Sequence, residues 1–249
     1  MTIVRSRNIF HPQSETPFKL SRSKLELLLE CPRCFYIDRR MGIGRPTGPP
    51  FNLNKAVDTL LKKEFDIHRA VGTQHPLLEK YGVDAWPVAH EDLDVWRENF
   101  QGVQHHHRAT NLIITGAIDD LWINSRDEYI VVDYKATSKD EVIDALNDTW
   151  HNQYRRQMEI YQWLLRQNGH AVSPTGYFVY CNAGTDVAAF DARLEFDVRL
   201  IAYEGNDEWV EGVVYQAKEC LMSGVMPAAA KYCDYCTLAE ARAKADKSI

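Results

Sequence analysis

Two runs of apolar residues separated by a short polar break predict two β-strands near the middle of the chain. Residues 112–123 are rich in β-branched and aromatic side chains, a short polar turn follows, and residues 129–134 are apolar and β-branched again. Side chains two apart on a strand share a face, so Asp133 and Lys135 are expected to point the same way. The pattern therefore predicts an acid and an amine side by side at a strand end, with Asp119 on the neighbouring strand.

Apolar residues spaced three and four apart predict helices on either side of this hairpin. Ser23 and Glu26 have the spacing of a capping box, which predicts that a helix begins there. Further helices are predicted over residues 54–66, 92–100, 139–148, 153–167 and 209–221. Two more strands are predicted over residues 176–182 and 189–203. Together these elements are those of an α/β domain.

Composition narrows this picture further. The 249 residues suffice for one substantial domain, and the apolar share of 45% and charged share of 26% are typical of a soluble globular protein. The net charge of −6 argues against a protein that coats nucleic acid without specificity. No uncharged apolar run is long enough to span a bilayer, and residues 1–18 lack the apolar core of a secretory signal. We therefore expect a cytoplasmic protein without membrane contact.

Four of the six cysteines form two Cys-x-x-Cys pairs near the two ends of the chain. In a chain without a secretion signal, this spacing indicates a metal rather than disulfides. One centre that used all four would tie the chain ends together, and zinc is the default ion for four cysteines at this spacing. Cys181 and Cys220 are isolated and are expected to be small buried residues. The four candidate ligands are Cys31, Cys34, Cys233 and Cys236.

The acids of the central strands have two interpretations. Carboxylates beside a lysine can bind a hard divalent cation, but charged strand ends are also common on the surface of an ordinary hairpin. The run His105, His106 and His107 suggests a metal as well, although three histidines before a strand are more often a solvated segment. The residues by themselves leave these alternatives open.

Three short motifs resemble, in order, the signatures of the RecB-type branch of the PD-(D/E)XK nuclease superfamily. They are Gly-Ala-Ile-Asp at residues 116–119, Asp-Tyr-Lys at residues 133–135 and Gln-Met-Glu-Ile-Tyr at residues 157–161. That branch includes the RecB and AddB nuclease domains and the CRISPR-associated exonuclease that trims spacer precursors. The resemblance implies a restriction-endonuclease-like core, in which a central mixed β-sheet is flanked by helices and a four-cysteine metal centre joins the termini.

The resemblance also implies a catalytic site on these motifs. The implied catalytic residues are Asp119, Asp133, Lys135, Gln157 and Tyr161. Asp119, Asp133 and the carbonyl of Tyr134 would hold Mg²⁺ or Mn²⁺, which prefer oxygen ligands. Members of the branch usually complete this site with a histidine on the preceding helix. The best match here is Asp58, with Glu64 a weaker candidate.

A second resemblance concerns the cysteines. The run Ser-x-x-x-Leu followed by Cys-Pro-Arg-x-Phe-Tyr resembles the N-terminus of iron–sulfur members of the branch, where the cysteine binds a cluster. This implies a [4Fe–4S] cluster on the four cysteines. The branch usually places one cysteine at the N-terminus and three at the C-terminus, whereas this chain has two and two. Zinc therefore remains the alternative.

The function that the resemblance implies is a metal-dependent DNA nuclease, expected to be an exonuclease in CRISPR adaptation, recombination or repair. Its substrate would be single-stranded or double-stranded DNA ends, with a helicase or a CRISPR integrase as a separate partner chain. We expect one nuclease domain over residues 1–249, with residues 67–110 as a helical insertion and residues 20–36 and 224–240 forming the cysteine region. The alternatives are an endonuclease with the same site, a non-catalytic nucleic-acid-binding subunit and a zinc-stapled structural protein.

Overall fold

A computed structural model describes residues 4–247 of the chain. Its strands and helices are those of an α/β protein. In chain order they are β1 Phe18–Ser21, α1 Arg22–Glu30, α2 Pro32–Arg40, α3 Asn52–Val71, α4 Pro76–Tyr81, β2 Trp86–Pro87, α5 Leu93–Trp96, β3 Val103–His107, β4 Leu112–Gly116, β5 Asp120–Ile123, β6 Tyr129–Thr137, α6 Asn152–Gln167, β7 Thr175–Ala183, β8 Phe196–Glu204, α7 Glu208–Met222 and α8 Asp234–Ala245. A single 3-10 turn, Thr149–His151, precedes α6.

The chain divides into two compact units. The first comprises the described residues up to Pro49, His105–Thr115 and the described residues from Glu208 onward. Its three-stranded sheet has the order β1-β4-β3, with β1 parallel to β4. Helix α7 packs on α1 and α2 through an apolar face whose spacing of three and four the sequence predicts. The buried residues of that face are Val210, Val213, Val214, Ala217 and Leu221.

The second unit, Pro50–Gln104 and Gly116–Asp207, holds a five-stranded mixed sheet. The strand order is β2-β5-β6-β7-β8, with β6 parallel to β7 and the other neighbours antiparallel. Helices α3 and α6 pack against the central strand β6. A continuous apolar run on β6 is what a strand covered by helices requires. The predicted architecture, a mixed sheet flanked by helices, is confirmed.

The strand predicted over residues 112–123 is wrong in one respect, because the structure breaks it into β4 and β5, which belong to different sheets. The break follows Gly116, where a Cβ atom would lie 2.6 Å from the ring of Tyr161. Beyond it, the amide of Ile118 donates to the carbonyl of Trp96 at 3.1 Å instead of to a strand partner. Strand β6 extends to Thr137, so Asp133 and Lys135 lie within the strand rather than at its end.

Other boundaries also differ from the predictions. Helix α1 begins after Ser21 rather than at a capping box on Ser23, and it ends at Glu30, just before Cys31. Residues 139–148 contain no helix, and β8 begins only at Phe196. Residues 67–110 contain short helices and strands, from the end of α3 to β3. Helix α8 was not predicted from the sequence. Of its residues only Cys236 is buried, so the helix has no apolar stripe.

Among residues 4–247, no helix combines the length and the apolar character needed to cross a membrane.

Candidate functional site

The candidate site is built on β6, where Asp133 and Lys135 point to the same face. Asp133 is fully buried and forms an ion pair with Lys135. The parallel pairing of β6 with β7 aligns these residues with Phe178 and Tyr180. A buried carboxylate is costly unless it is paired, so the lysine beside it stabilises the charged form. The predicted acid–lysine juxtaposition is present.

Lys135 is held as a cation by its surroundings. Burial by itself would lower the pKa of Lys135, but the carboxylates of Asp133 and Asp119 raise it above its usual value. Its ammonium nitrogen also lies 4.6 Å from the centre of the Tyr154 ring, in cation–π contact. A fixed positive charge therefore stands at the middle of the site at neutral pH.

Helix α6 contributes Gln157 and Tyr161, which lie one turn apart on the same face. The amide of Gln157 donates to Oδ1 of Asp133 at 2.7 Å and to the hydroxyl of Tyr161 at 3.0 Å. Tyr161 is buried and packs over Gly116. Its hydroxyl therefore supports Gln157 from within the unit.

Asp119 lies immediately before β5 and reaches the same region. Its Oδ2 accepts a hydrogen bond of 2.9 Å from the backbone amide of Tyr134, and its Oδ1 lies 3.5 Å from the ammonium of Lys62. Its side chain is 25% exposed, so one side of this carboxylate faces solvent. Asp119 is thus more open to solvent than the fully buried Asp133.

The neighbouring Asp120 has a different environment. It is fully buried and accepts from Arg97 at 2.5 Å, from the hydroxyl of Tyr134 at 2.6 Å and from Arg69. Two guanidinium groups and a phenol saturate its oxygens. The two adjacent acids therefore differ in kind, because Asp120 belongs to an internal ion-pair network and Asp119 borders the site.

Asp58 lies on α3, and its Oδ2 is 3.0 Å from the ammonium of Lys62. Burial and the nearby charge of Asp119 raise the pKa of Asp58 above its usual value. A cavity of about 250 Å³ is lined by Asp58 together with Tyr134, Lys135 and Tyr154. The structure therefore brings the predicted replacement for the histidine next to the other candidate residues.

The donor set suits a hard divalent cation, since it consists of carboxylate oxygens. Among residues 4–247, however, the three carboxylates Asp58, Asp119 and Asp133 are not drawn together within 4.8 Å, as the cysteines are. A lysine accompanies each of them instead, Lys135 at Asp133 and Lys62 at the other two. Sequence analysis missed Lys62, although its position four residues after Asp58 on a helix was a usable signal.

Two weaker candidates lie elsewhere. Glu64 is 3.1 Å from His75, whose ring stacks on Phe65, and it does not contact the other candidate residues. His107 is buried, with its ring 2.9 Å from the hydroxyl of Thr110. In the described part of the chain, neither residue belongs to a group of ligands close enough to share an ion.

The four predicted cysteines do converge. All four thiols are buried, and their sulfur atoms lie within 4.8 Å of one another. The measured Sγ–Sγ distances are 3.5 Å from Cys34 to Cys233, 3.6 Å from Cys34 to Cys236 and 3.8 Å from Cys31 to Cys236. Cys31 and Cys233 each immediately precede a helix, which fixes both Cys-x-x-Cys pairs in short turns.

Local polar groups favour the thiolate at one cysteine of this centre, Cys31, whereas burial raises the pKa of Cys34 and Cys236. Burial alone would raise the pKa of Cys31, but hydrogen bonds from the amides of Ala230 and Cys34 lower it to about 6. The guanidinium of Arg45 lies 3.7 Å from the sulfur of Cys233. Thiolate is the form that binds metal, so a bound ion would have to displace protons from the other cysteines.

The family assignment agrees with this geometry. The profile of the PD-(D/E)XK nuclease superfamily matches residues 19–241, and the chain belongs to that superfamily. Membership indicates a metal-dependent nuclease that acts on DNA. No protein with a curated description matches the sequence.

One solved structure, described as "Crystal structure of SSO0001", is similar over 92% of this chain and 87% of its own, with 16% identity and a TM-score of 0.45. This similarity is too low to assign a fold or a function.

Proposed function

We propose that this protein is a metal-dependent deoxyribonuclease of the RecB-type branch, acting as an exonuclease on DNA ends. The observation that supports this most strongly is the contact set of Asp133, Lys135 and Gln157 on two facing elements, with Asp119 beside it. This set brings a buried acid, a fixed cation and a positioning amide together at one place. They suit phosphodiester hydrolysis.

Each residue then has a role. Asp119 and Asp133, with the carbonyl of Tyr134, would hold Mg²⁺ or Mn²⁺, and Asp58 would add a third carboxylate in place of the histidine. The bound ion would supply an activated water and a polarised phosphate. Lys135 orients that water or stabilises the negative charge that develops on the phosphate, because it is a preorganised cation. Gln157 orients Asp133, and Tyr161 supports Gln157.

The finer biological assignment rests on the sequence motifs. The RecB-type branch includes nucleases of recombination and repair and the CRISPR-associated exonuclease, so we propose a role in one of these pathways. Recognition would use phosphates rather than bases, which makes cleavage tolerant of sequence. A helicase or an integrase would be a separate chain. The whole chain would form one nuclease domain.

For the cysteine centre, the sulfur spacing favours zinc over the [4Fe–4S] cluster. A single tetrahedral ion with Zn–S bonds of about 2.3 Å places its sulfurs roughly 3.8 Å apart. Three of the Sγ–Sγ distances, 3.5, 3.6 and 3.8 Å, are close to that edge, and all four sulfurs lie within 4.8 Å of one another. In a four-iron cluster each thiolate binds a different iron, so the sulfurs stand farther apart. We therefore propose a zinc centre that fastens the segments of the first unit.

Cleavage assays test the nuclease proposal. The full chain would be incubated with linear and circular DNA, single-stranded and double-stranded, with Mn²⁺, Mg²⁺ or EDTA. Lys135→Ala and Asp133→Asn are expected to abolish a metal-dependent activity. Asp127→Asn, in the exposed turn between β5 and β6, is a matched control that should cut normally.

Cutting of linear but not circular DNA would support an exonuclease, and cutting of both would support the endonuclease alternative. DNA binding without cleavage under every condition would overturn the catalytic proposal and favour a non-catalytic binding subunit.

A further inference from the structure

The ammonium of Lys62 lies between two carboxylates of the candidate metal site. Its Nζ atom is 3.0 Å from Oδ2 of Asp58 and 3.5 Å from Oδ1 of Asp119. One carboxylate lies on the same helix, four residues away, and the other lies 57 residues further along the chain. A single cation therefore bridges acids from two elements of the second unit, which is the geometry expected of a shared metal ligand set.

The two lysines of the site differ in how firmly they are held. Lys135 is 15% exposed, pairs with a fully buried acid and contacts an aromatic ring. Lys62 is 22% exposed, and its carboxylate partners are 30% and 25% exposed. A long, flexible lysine at a half-open position can turn its ammonium into water at little cost. Lys62 is thus the replaceable cation of the pair.

The charge balance of the site also indicates that Lys62 leaves when a divalent cation binds. Three carboxylates, Asp58, Asp119 and Asp133, are accompanied by two lysines. A divalent cation added beside both lysines would leave an excess of positive charge in a partly buried site. With Lys62 withdrawn, one lysine and one divalent cation balance the three carboxylates. Metal binding and the inward position of Lys62 therefore oppose each other.

We propose that Lys62 is a built-in competitor of the metal. In the metal-free protein it forms ion pairs with Asp58 and Asp119, and the incoming Mg²⁺ or Mn²⁺ displaces it to solvent. Lys62 then sets the concentration of metal at which the site fills. This inference rests on the nuclease site proposed above, and it concerns a residue that none of the three motifs contains.

Metal binding tests the proposal independently of cleavage. Loss of the free Mn²⁺ signal in electron paramagnetic resonance would be titrated on the full chain for wild type and Lys62→Met, which keeps the apolar stem without the charge. Lys63→Met, on the exposed side of α3, is the matched control. Lys62→Met is expected to bind Mn²⁺ about tenfold more tightly, as removal of one competing charge near 4 Å in a partly exposed site predicts. Lys63→Met is expected to equal wild type.

Thermal unfolding adds a second readout. Lys62→Met without metal should unfold at a lower temperature than Lys63→Met, since its acids repel each other, and saturating Mn²⁺ should remove that difference. Equal or weaker Mn²⁺ affinity in Lys62→Met would overturn the proposal. A loss of stability that persists at saturating Mn²⁺ would also overturn it, since it would assign Lys62 a purely structural role.

Asp119→Asn separates failure of this inference from failure of the nuclease site. If wild type binds Mn²⁺ and Asp119→Asn does not, the proposed metal site is supported. In that case, a Lys62→Met variant whose Mn²⁺ affinity equals that of wild type overturns only the competitor role of Lys62. If wild type shows no binding that depends on Asp119, both the site and the competitor fail.

Discussion

Gln157 donates a hydrogen bond of 2.7 Å to Asp133, a residue 24 positions earlier in the chain. The same amide nitrogen lies 3.0 Å from the hydroxyl of Tyr161, so it has one partner on β6 and one on α6. The orientation of the buried carboxylate on β6 is therefore set by a helix as well as by its own strand. A change at Gln157 should act on the site without removing a proposed metal ligand.

Replacing Gln157 by alanine should lower the rate of DNA cleavage roughly 10–100-fold, which is the usual effect of losing a group that orients a metal ligand. The fold should survive, because Tyr161 remains packed. Initial rates at several Mn²⁺ concentrations would measure the loss. Gln167→Ala, an exposed glutamine at the end of the same helix, serves as the control. Equal rates for the two variants would contradict the role of Gln157.

Substitution of Asp119 should mainly reduce cleavage, whereas substitution of Asp120 should mainly reduce stability. Asp120→Ala leaves Arg69 and Arg97 buried without their shared carboxylate, and it should lower the free energy of unfolding by about 3–5 kcal/mol. Asp119→Ala should abolish cleavage but cost only about 1 kcal/mol, since that side chain is partly exposed. Urea unfolding beside cleavage assays would measure both. A strongly destabilised Asp119→Ala would contradict this division.

Gly116 is needed because the Tyr161 ring of α6 packs directly against its backbone. An added Cβ would lie 2.6 Å from the Tyr161 ring, so Gly116→Ala should destabilise the protein by about 1–3 kcal/mol through overpacking. Gly212 on α7 has open space around it, and Gly212→Ala should be neutral or stabilise by about 0.5–1 kcal/mol. Thermal unfolding of both variants tests this, and a reversed order would refute the packing argument.

The pH dependence of stability should report on Asp38. Burial by itself would raise the pKa of Asp38, but Arg39 and Lys24 bring it below its usual value. The ion pairs therefore stabilise the fold above the ordinary carboxyl pKa of about 3.9, and that contribution is lost as the pH falls through the lowered pKa. Asp38→Asn should cost about 3–5 kcal/mol at neutral pH, with the difference from wild type shrinking below about pH 4.

Urea unfolding across this range measures that difference. Glu240→Gln removes the exposed pair with Arg33 and should change little at any pH. An Asp38→Asn difference that stays constant down to strongly acidic pH would exclude the ion-pair explanation.

The cysteine centre should hold one zinc ion per chain. Cys31→Ser removes one of four converging thiolates and should release the metal and lower the unfolding temperature. Cys220→Ser, outside the centre, should retain it. Elemental analysis and an absorption spectrum distinguish the ions, because an iron–sulfur cluster absorbs visible light and zinc does not. A brown protein containing four irons would overturn the zinc assignment.

Local sequence patterns predicted many of the strands and helices. The apolar β-branched run on β6 and the period near 3.6 on α3 and α6 are properties of short segments, so those elements were predictable. The split between β4 and β5 was not, because it depends on a tyrosine that packs over Gly116 from a distant helix. Helix α8 and the start of β8 were missed since their exposed residues have no apolar periodicity.

The sequence by itself determined the order of the acid, lysine and glutamine motifs and the two cysteine pairs, since each is encoded within a few residues. Only the tertiary structure decided which acids meet. It set Asp120 among two arginines, brought Lys62 between Asp58 and Asp119, and fixed the spacing of the four sulfurs. These contacts join segments that are tens to hundreds of residues apart in the sequence. They arise from packing between elements, which the local pattern of apolar residues does not predict.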